Sequence, residues 1–199
     1  HKVLDNIQIE REFPEWTVEK IDKKIGIKER HVVADDETAS DLAVHAASKL
    51  FGDCGIDRLS IDYVIFVSQS ADYFLPTTAC LVQERLGLSH DIAAIDVNLG
   101  CSGFVYGLSI AKGMILGGMA TNVLLLTAET YSKYIHFRDK GNRTIFGDAA
   151  AATLISTDGI AEIGNFVFGT DGKGANNLIV KTGAARHRSL MNDLQFDDF

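Results

Sequence analysis

The sequence predicts an α/β fold, and three observations carry the prediction. Three apolar runs, 63–69, 92–98 and 122–128, have the length and the polar boundaries of buried strands. Helical patterns separate them, as parallel strands with crossover helices require. The 199 residues are 46% apolar, which supplies a sizeable core, and no internal repeat or linker divides them.

Taken in order, residues 14–30 read as a short helix. Pro14 suits its first turn, Glu15 and Glu19 its N-terminal half, and Gly26 its end. Thr38 to Phe51 reads as a longer helix with an apolar face of Leu42, Val44, Ala46, Ala47, Leu50 and Phe51, ended by Gly52. After the strand at 63–69, Pro76 opens a helix from Thr77 to Leu86 that stops at Gly87. The strand at 92–98 leads through a sharp turn, Leu99 to Gly103, into a Gly-rich helix ending near Leu116. Beyond the strand at 122–128, residues 134–144 form a polar, basic loop. Residues 145–156 and 161–169 read as two strands joined by a turn at Asp158-Gly159, and the alanines at 149–152 predict a strand packed closely between two layers. Residues 170–199 have weak periodicity and read as an open end.

The charge balance is 19 Lys+Arg against 27 Asp+Glu, or −8. Nucleic-acid binding needs a basic surface and is therefore not expected, whereas small anionic ligands respond to local charge alone. Cys54, Cys80 and Cys101 form no C-x-x-C pair, so neither a metal site nor a disulfide framework is expected, and a reducing cytoplasm is. There is no cleavable signal pattern. The chain opens on His1, so a native start upstream is expected. The most apolar window, Cys101 to Ala120, holds Lys112 and five glycines, which suits a tightly packed central helix and not a membrane span. Because that helix is apolar nearly all round, protein is expected on both of its sides.

The chemistry-bearing position is Cys101. A buried strand, a turn with glycine on each side, a nucleophile-type residue and a small-residue helix follow the logic of a nucleophile elbow. A thiol at a helix N-terminus feels the positive end of the dipole, which favours its thiolate. The backbone amides there are placed to stabilise an oxyanion. Cys54, near a helix end, and Cys80, within an apolar helix, read as structural.

These residues also carry a family resemblance. Residues 92–118 (IAAIDVNLGCSGFVYGLSIAKGMILGG) resemble the active-site segment of the 3-oxoacyl-(acyl carrier protein) synthase III family of the thiolase superfamily. Residues 15–31 resemble its E-W-x…T-G-I-x-x-R segment, and Glu37-Thr38-Ala39-Ser40 its E-T-x-S. Residues 75–83 resemble its F-P-S-x-A-x-x-I-Q, and 139–152 its D-R-G-T…F-G-D-G-A-G-A. The anchors occur in order from about residue 15 to 172.

The resemblance implies a thiolase-like fold, here one α/β/α half with a mixed five-stranded sheet. Residues 1–172 would be the N-terminal half carrying the nucleophile, and 173–199 the start of the connection to a C-terminal half. It implies a decarboxylative Claisen condensation that initiates fatty acid biosynthesis. Cys101 would take the acyl group of an acyl-CoA, and malonyl-(acyl carrier protein) would attack it. CoA enters as a thioester substrate and no cofactor is implied. The family's His and Asn motifs are not present in these residues. Trp16 matches the tryptophan that stacks on adenine, Lys24 a basic phosphate contact displaced by a four-residue insertion, and Lys140 the arginine of D-R-G. Lysine there keeps the charge without the planar fork. Leu75 matches the residue that walls the partner's acyl pocket, and Phe146 a strand-and-turn near the active site. Asp148 is expected to bond the backbone of the elbow. A cytoplasmic homodimer is implied, pairing through the strand at 92–98. The alternatives are another thiolase-superfamily acyltransferase of specialised metabolism, or a non-catalytic partner subunit; an intact Cys101 turn argues against the latter.

Overall fold

Two antiparallel strands, β1 (Lys2–Asp5) and β2 (Glu29–Val32), open the computed structural model, which describes residues 2–181 and 183–186. Two seven-residue helices lie between them, α1 (Asn6–Glu12) and α2 (Val18–Lys24). Each is started by a side-chain cap: Gln8 N donates to the Asp5 carboxylate, and Lys20 N to the Thr17 hydroxyl. The helix expected over 14–30 is therefore shorter and later. Pro14 lies in a turn, Thr17 is the cap, and Gly26, at φ 77°, ends the helix. Residues 29–32 become strand because β1 supplies a ladder, and a four-residue strand shows its partner dependence more than any period.

The main sheet holds β3 (Tyr63–Val67), β4 (Ala93–Val97), β5 (Asn122–Glu129) and β6 (Ala149–Ser156), in the order β4-β3-β5-β6. β3 runs parallel to β4 and β5, and β6 antiparallel to β5. Helices α3 (Ala39–Cys54) and α4 (Thr78–Leu86) cover one face and α5 (Gly103–Leu116) the other. The alternation of the pleat sorts the β3 run between these layers. Val64 and Phe66 join the α3–α4 core, Ile65 and Val67 the α5 core. Coverage on both faces is why the run reads as continuously apolar. Among these side chains Phe66, Ile65 and Leu124 to Leu126 are at most 1% exposed, so they anchor the sheet.

Helix α3 starts on a reciprocal capping box of Thr38 and Asp41 and buries Ala39, Ala43, Ala47 and Phe51, one residue per turn. The alanines let its backbone approach the sheet closely. The helix passes Gly52 and ends at Gly55, at φ 62°. A last short helix, α6 (Lys140–Arg143), lies in the basic loop.

The described residues give four strands in the main sheet, not five. Residues 161–169 alternate like a strand but form no ladder. The carbonyls of Ile163 and Gly164 accept from Lys112 Nζ on α5, at 2.6 and 2.9 Å, and Phe168 packs on Tyr106. The segment is a strap across α5. The alanines of β6 are layered on one side only: Ala150 and Ala152 pack towards α3, while Ala149 and Ala151 are exposed. On α5, Phe104, Val105 and Leu116 remain exposed outside the strap. Part of the 170–199 stretch, residue 182 and residues 187–199, lies outside the described residues.

Candidate active site

The turn between β4 and α5 is built by glycines. Gly103, Gly107 and Ala111 are the buried stripe of α5. A Cβ at Gly103 would overlap Val67 Cγ1, and one at Gly107 would come within 2.6 Å of Leu125 Cδ1. Only hydrogen at these positions lets α5 lie this close to β3 and β5, and that closeness fixes where the helix begins. Cys101 is exposed in the turn, two residues before the first helical residue. Gly103 N donates to Gly100 O, but no side chain caps the helix at Ser102. An exposed thiol thus stands at the positive end of an uncapped helix, a setting for nucleophilic attack with amides nearby for an oxyanion. Exposure alone does not single it out. Cys54 and Cys80, read as structural, are exposed as well, on α3 and α4. Neither lies in a turn of this kind.

A polar cluster at the carboxyl ends of β3 and β5 adjoins the turn. Glu129 Oε1 accepts from Gln69 N at 2.8 Å and Oε2 from Ser70 Oγ at 2.7 Å. Ser70 Oγ in turn accepts from Thr130 N and meets Ser68 Oγ. Burial pushes the Glu129 carboxyl above its ordinary range, and the hydrogen bonds only partly offset it. The Tyr131 hydroxyl donates to Gln69 Oε1. Burial raises its pKa, and the neighbouring Glu129 and Cys101 charges raise it further. The sequence reading missed this cluster. Its one available signal was position, since ligand crevices in α/β sheets lie outside the carboxyl ends of parallel strands.

The residues expected to contact CoA fall into separate places. Trp16 is half-buried just before α2, with Lys20 Nζ 5.0 Å from its ring centre. Lys140 reaches the same turn, its ammonium 2.6 Å from Glu15 Oε1. That hydrogen bond holds the Glu15 carboxyl below its usual range. Arg143 pairs with Glu12 beside Phe13, so two ion pairs join the 12–16 turn to the basic loop. Lys24 lines a shallow cup with Thr17, Glu19, Lys20 and Lys23, the cup including the lysine that lies over Trp16. Phe146 lines a groove of about 250 Å³ between the β1–β2 pair and the 132–146 segment, and meets Tyr131 edge-on at 5.4 Å. Leu75 is 86% exposed on the β3–α4 loop, beside exposed Tyr73 and Phe74.

Asp148 corrects one expectation. It bonds the 132–133 turn and the end of β2 instead of the elbow: Val33 N donates at 2.9 Å, and Ser132 donates through both N and Oγ. Buried Arg30 extends the joint by donating to Thr144 O and Asn6 Oδ1. The Asp148 partners Val33 and Ser132 line the groove, and Asp148 N donates to His31 O, so Asp148 satisfies two backbone groups at the end of β2.

The family model described as 3-Oxoacyl-[acyl-carrier-protein (ACP)] synthase III matches residues 95–172, which include the turn, α5, the Glu129 strand end and the basic loop. A beta-ketoacyl-[acyl-carrier-protein] synthase III of Sulfurovum sp. (strain NBC37-1) is 41% identical over 156 residues, covering 78% of this chain and 45% of the relative. Over the stretch it spans, the chain is similar to the 3-oxoacyl-[acyl-carrier-protein] synthase III family. Solved structures agree on the fold. A 3-oxoacyl-(acyl-carrier-protein) synthase III crystal structure at 50% identity superposes with a TM-score of 0.93, over 98% of this chain and 58% of that one. The synthase III of Thermus thermophilus, at 33% identity, gives 0.85 over 100% and 60%. The chain therefore spans about half the length of the relatives it matches. No helix of the described residues is long and apolar enough to cross a membrane, and none of their side chains form a group of three metal-ligating residues.

Proposed function

We propose that this chain is the nucleophile-bearing, N-terminal part of a condensing enzyme that makes a 3-oxoacyl thioester. The Cys101 thiolate attacks the carbonyl of an acyl-CoA, and CoA leaves as its thiolate. Malonyl-(acyl carrier protein) then loses CO₂. The electron pair of the broken C–C bond attacks the acyl carbonyl, and the Cys101 thiolate departs. The uncapped amides at the start of α5 receive the oxyanion of each addition. The His and Asn that assist decarboxylation in this family would come from outside these 199 residues.

The observation that carries the reading is an exposed cysteine in a glycine-seated turn before an uncapped helix. The joining of Trp16's turn to Lys140 supports a CoA site at that surface, and the four-residue insertion before Lys24 makes it the weaker contact. β4 is an edge strand, which supports a homodimer formed through it. A cytoplasmic setting follows from the substrates.

The test is acyl transfer in the full-length protein. Incubation with acyl-CoA followed by peptide mass spectrometry is expected to place the acyl group on Cys101, and Cys101→Ala to abolish both the adduct and malonyl-dependent condensation. Acylation that persists in Cys101→Ala, or that falls on Cys54 or Cys80, overturns the assignment. Sedimentation as a monomer at micromolar concentration overturns the dimer.

A further inference from the structure

The turn that carries Cys101 is held from below by α5's glycines, and from the side by something the glycine pattern does not announce. Gly100, immediately before the cysteine, has no room for a side chain. A Cβ there would overlap Gln69 Oε1 and lie 3.3 Å from the Tyr131 hydroxyl. Gln69 is exposed and would ordinarily sample several rotamers, yet its side-chain carbonyl accepts from the Tyr131 hydroxyl, while its backbone N–H, donating to Glu129, fixes the main chain that carries it. Glu129 is locked in turn by buried Ser70, and Tyr131 by the edge of Phe146.

We propose that Gln69 is a positioning residue for the nucleophile: with its backbone tied to Glu129 and its side-chain carbonyl held by Tyr131, it is the lateral seat against which Gly100 rests, and so it fixes the turn that presents Cys101. This rests on the reading of Cys101 as the nucleophile. The seat acts through backbone placement. When Gln69 is removed, the turn gains freedom, and the thiol loses its alignment with the first amides of α5. An exposed side chain with one hydrogen-bonded partner contributes little to global stability, so the loss is local.

The experiment is alkylation of Cys101 by iodoacetamide in the full-length protein, read by peptide mass spectrometry across pH. In the wild type, Cys101 is expected to react faster than Cys54 and Cys80. If it does not, the nucleophile reading fails. Given that reactivity, Gln69→Ala and Tyr131→Phe are each expected to slow Cys101 alkylation about fivefold at neutral pH. The melting temperature should be unchanged. Gly100→Ala, which drives a methyl into the seat, should slow it at least as much. The Gln69→Ala/Gly100→Ala double variant should be less impaired than the two single losses combined predict, because the overlap is gone. Single variants within twofold of wild type, or additive losses in the double variant, overturn the seat while leaving the nucleophile in place.

Discussion

Helices α4 and α5 both follow a parallel strand of the same sheet, and their first turns are treated in opposite ways. At α4, Thr78 N and Ala79 N both donate to the Asp96 carboxylate at 2.7 Å. At α5, no side chain among the described residues occupies the corresponding place. Asp96 stands on β4, five residues before Cys101, so one short strand supplies the cap for one helix and leads into the cysteine turn of the next. The difference separates structure from chemistry. A carboxylate at a helix start is worth about 1 kcal/mol, but it fills the position where an anion would be received. The chain accepts an uncapped α5 and holds that helix by close packing instead.

Four variants break or sharpen this contrast. Gly103→Ala attacks the packing that replaces a cap. Its methyl overlaps Val67, so a loss of about 1–3 kcal/mol in denaturant unfolding is expected, together with a drop of more than tenfold in Cys101 alkylation. Ser102→Asp turns α5 into a second α4. Stability should rise by about 0.5–1 kcal/mol while Cys101 alkylation at neutral pH falls about tenfold, since the new carboxylate opposes the thiolate. Undiminished reactivity would mean the open helix start does not matter. Asp96→Ala removes the cap of α4 and should cost about 1–2 kcal/mol with Cys101 alkylation unchanged. The smallest effect is at α3, whose cap residue Asp41 also pairs with Arg85 at 2.6 Å. Burial pushes its carboxyl up, but the Thr38 amide and hydroxyl and the Arg85 guanidinium together hold it below the ordinary range. A lowered folded-state value means the stabilisation is present above the ordinary carboxylate pKa and is lost as pH falls through the folded one. Asp41→Asn should therefore be less stable than wild type at pH 7, and the two unfolding curves should converge in acid.

How much of this was legible depended on how local each determinant is. The strands at 63–69, 92–98 and 122–128 stood out because helices cover both faces of the sheet and most positions in these runs are apolar. The Cys101 turn was readable because glycine, cysteine and small-residue helix are contiguous. Residues 161–169 misled because their alternation is real, while the ammonium that claims two of their carbonyls sits fifty residues away on Lys112. β1 and β2 were invisible singly, each being four residues long and ordered by the other. Gln69, Ser70 and Glu129 are commonplace residues about 60 positions apart, and only the β3–β5 ladder brings them together.

The joint around Asp148 has a consequence for how the chain is made. Arg30 finds its carbonyl on Thr144, 114 residues later, and Val33 its carboxylate on Asp148, 115 residues later. A ribosome adding about 5–20 residues per second needs about 6–23 s to cross that interval. Throughout it the first thirty residues have emerged without the partners that bury Arg30. The β1–β2 layer, synthesised before the main sheet, is thus among the last to be fastened. Ribosome-bound chains stalled before residue 144 has cleared the exit tunnel should lose those residues to protease, and chains stalled well beyond residue 148 should keep them.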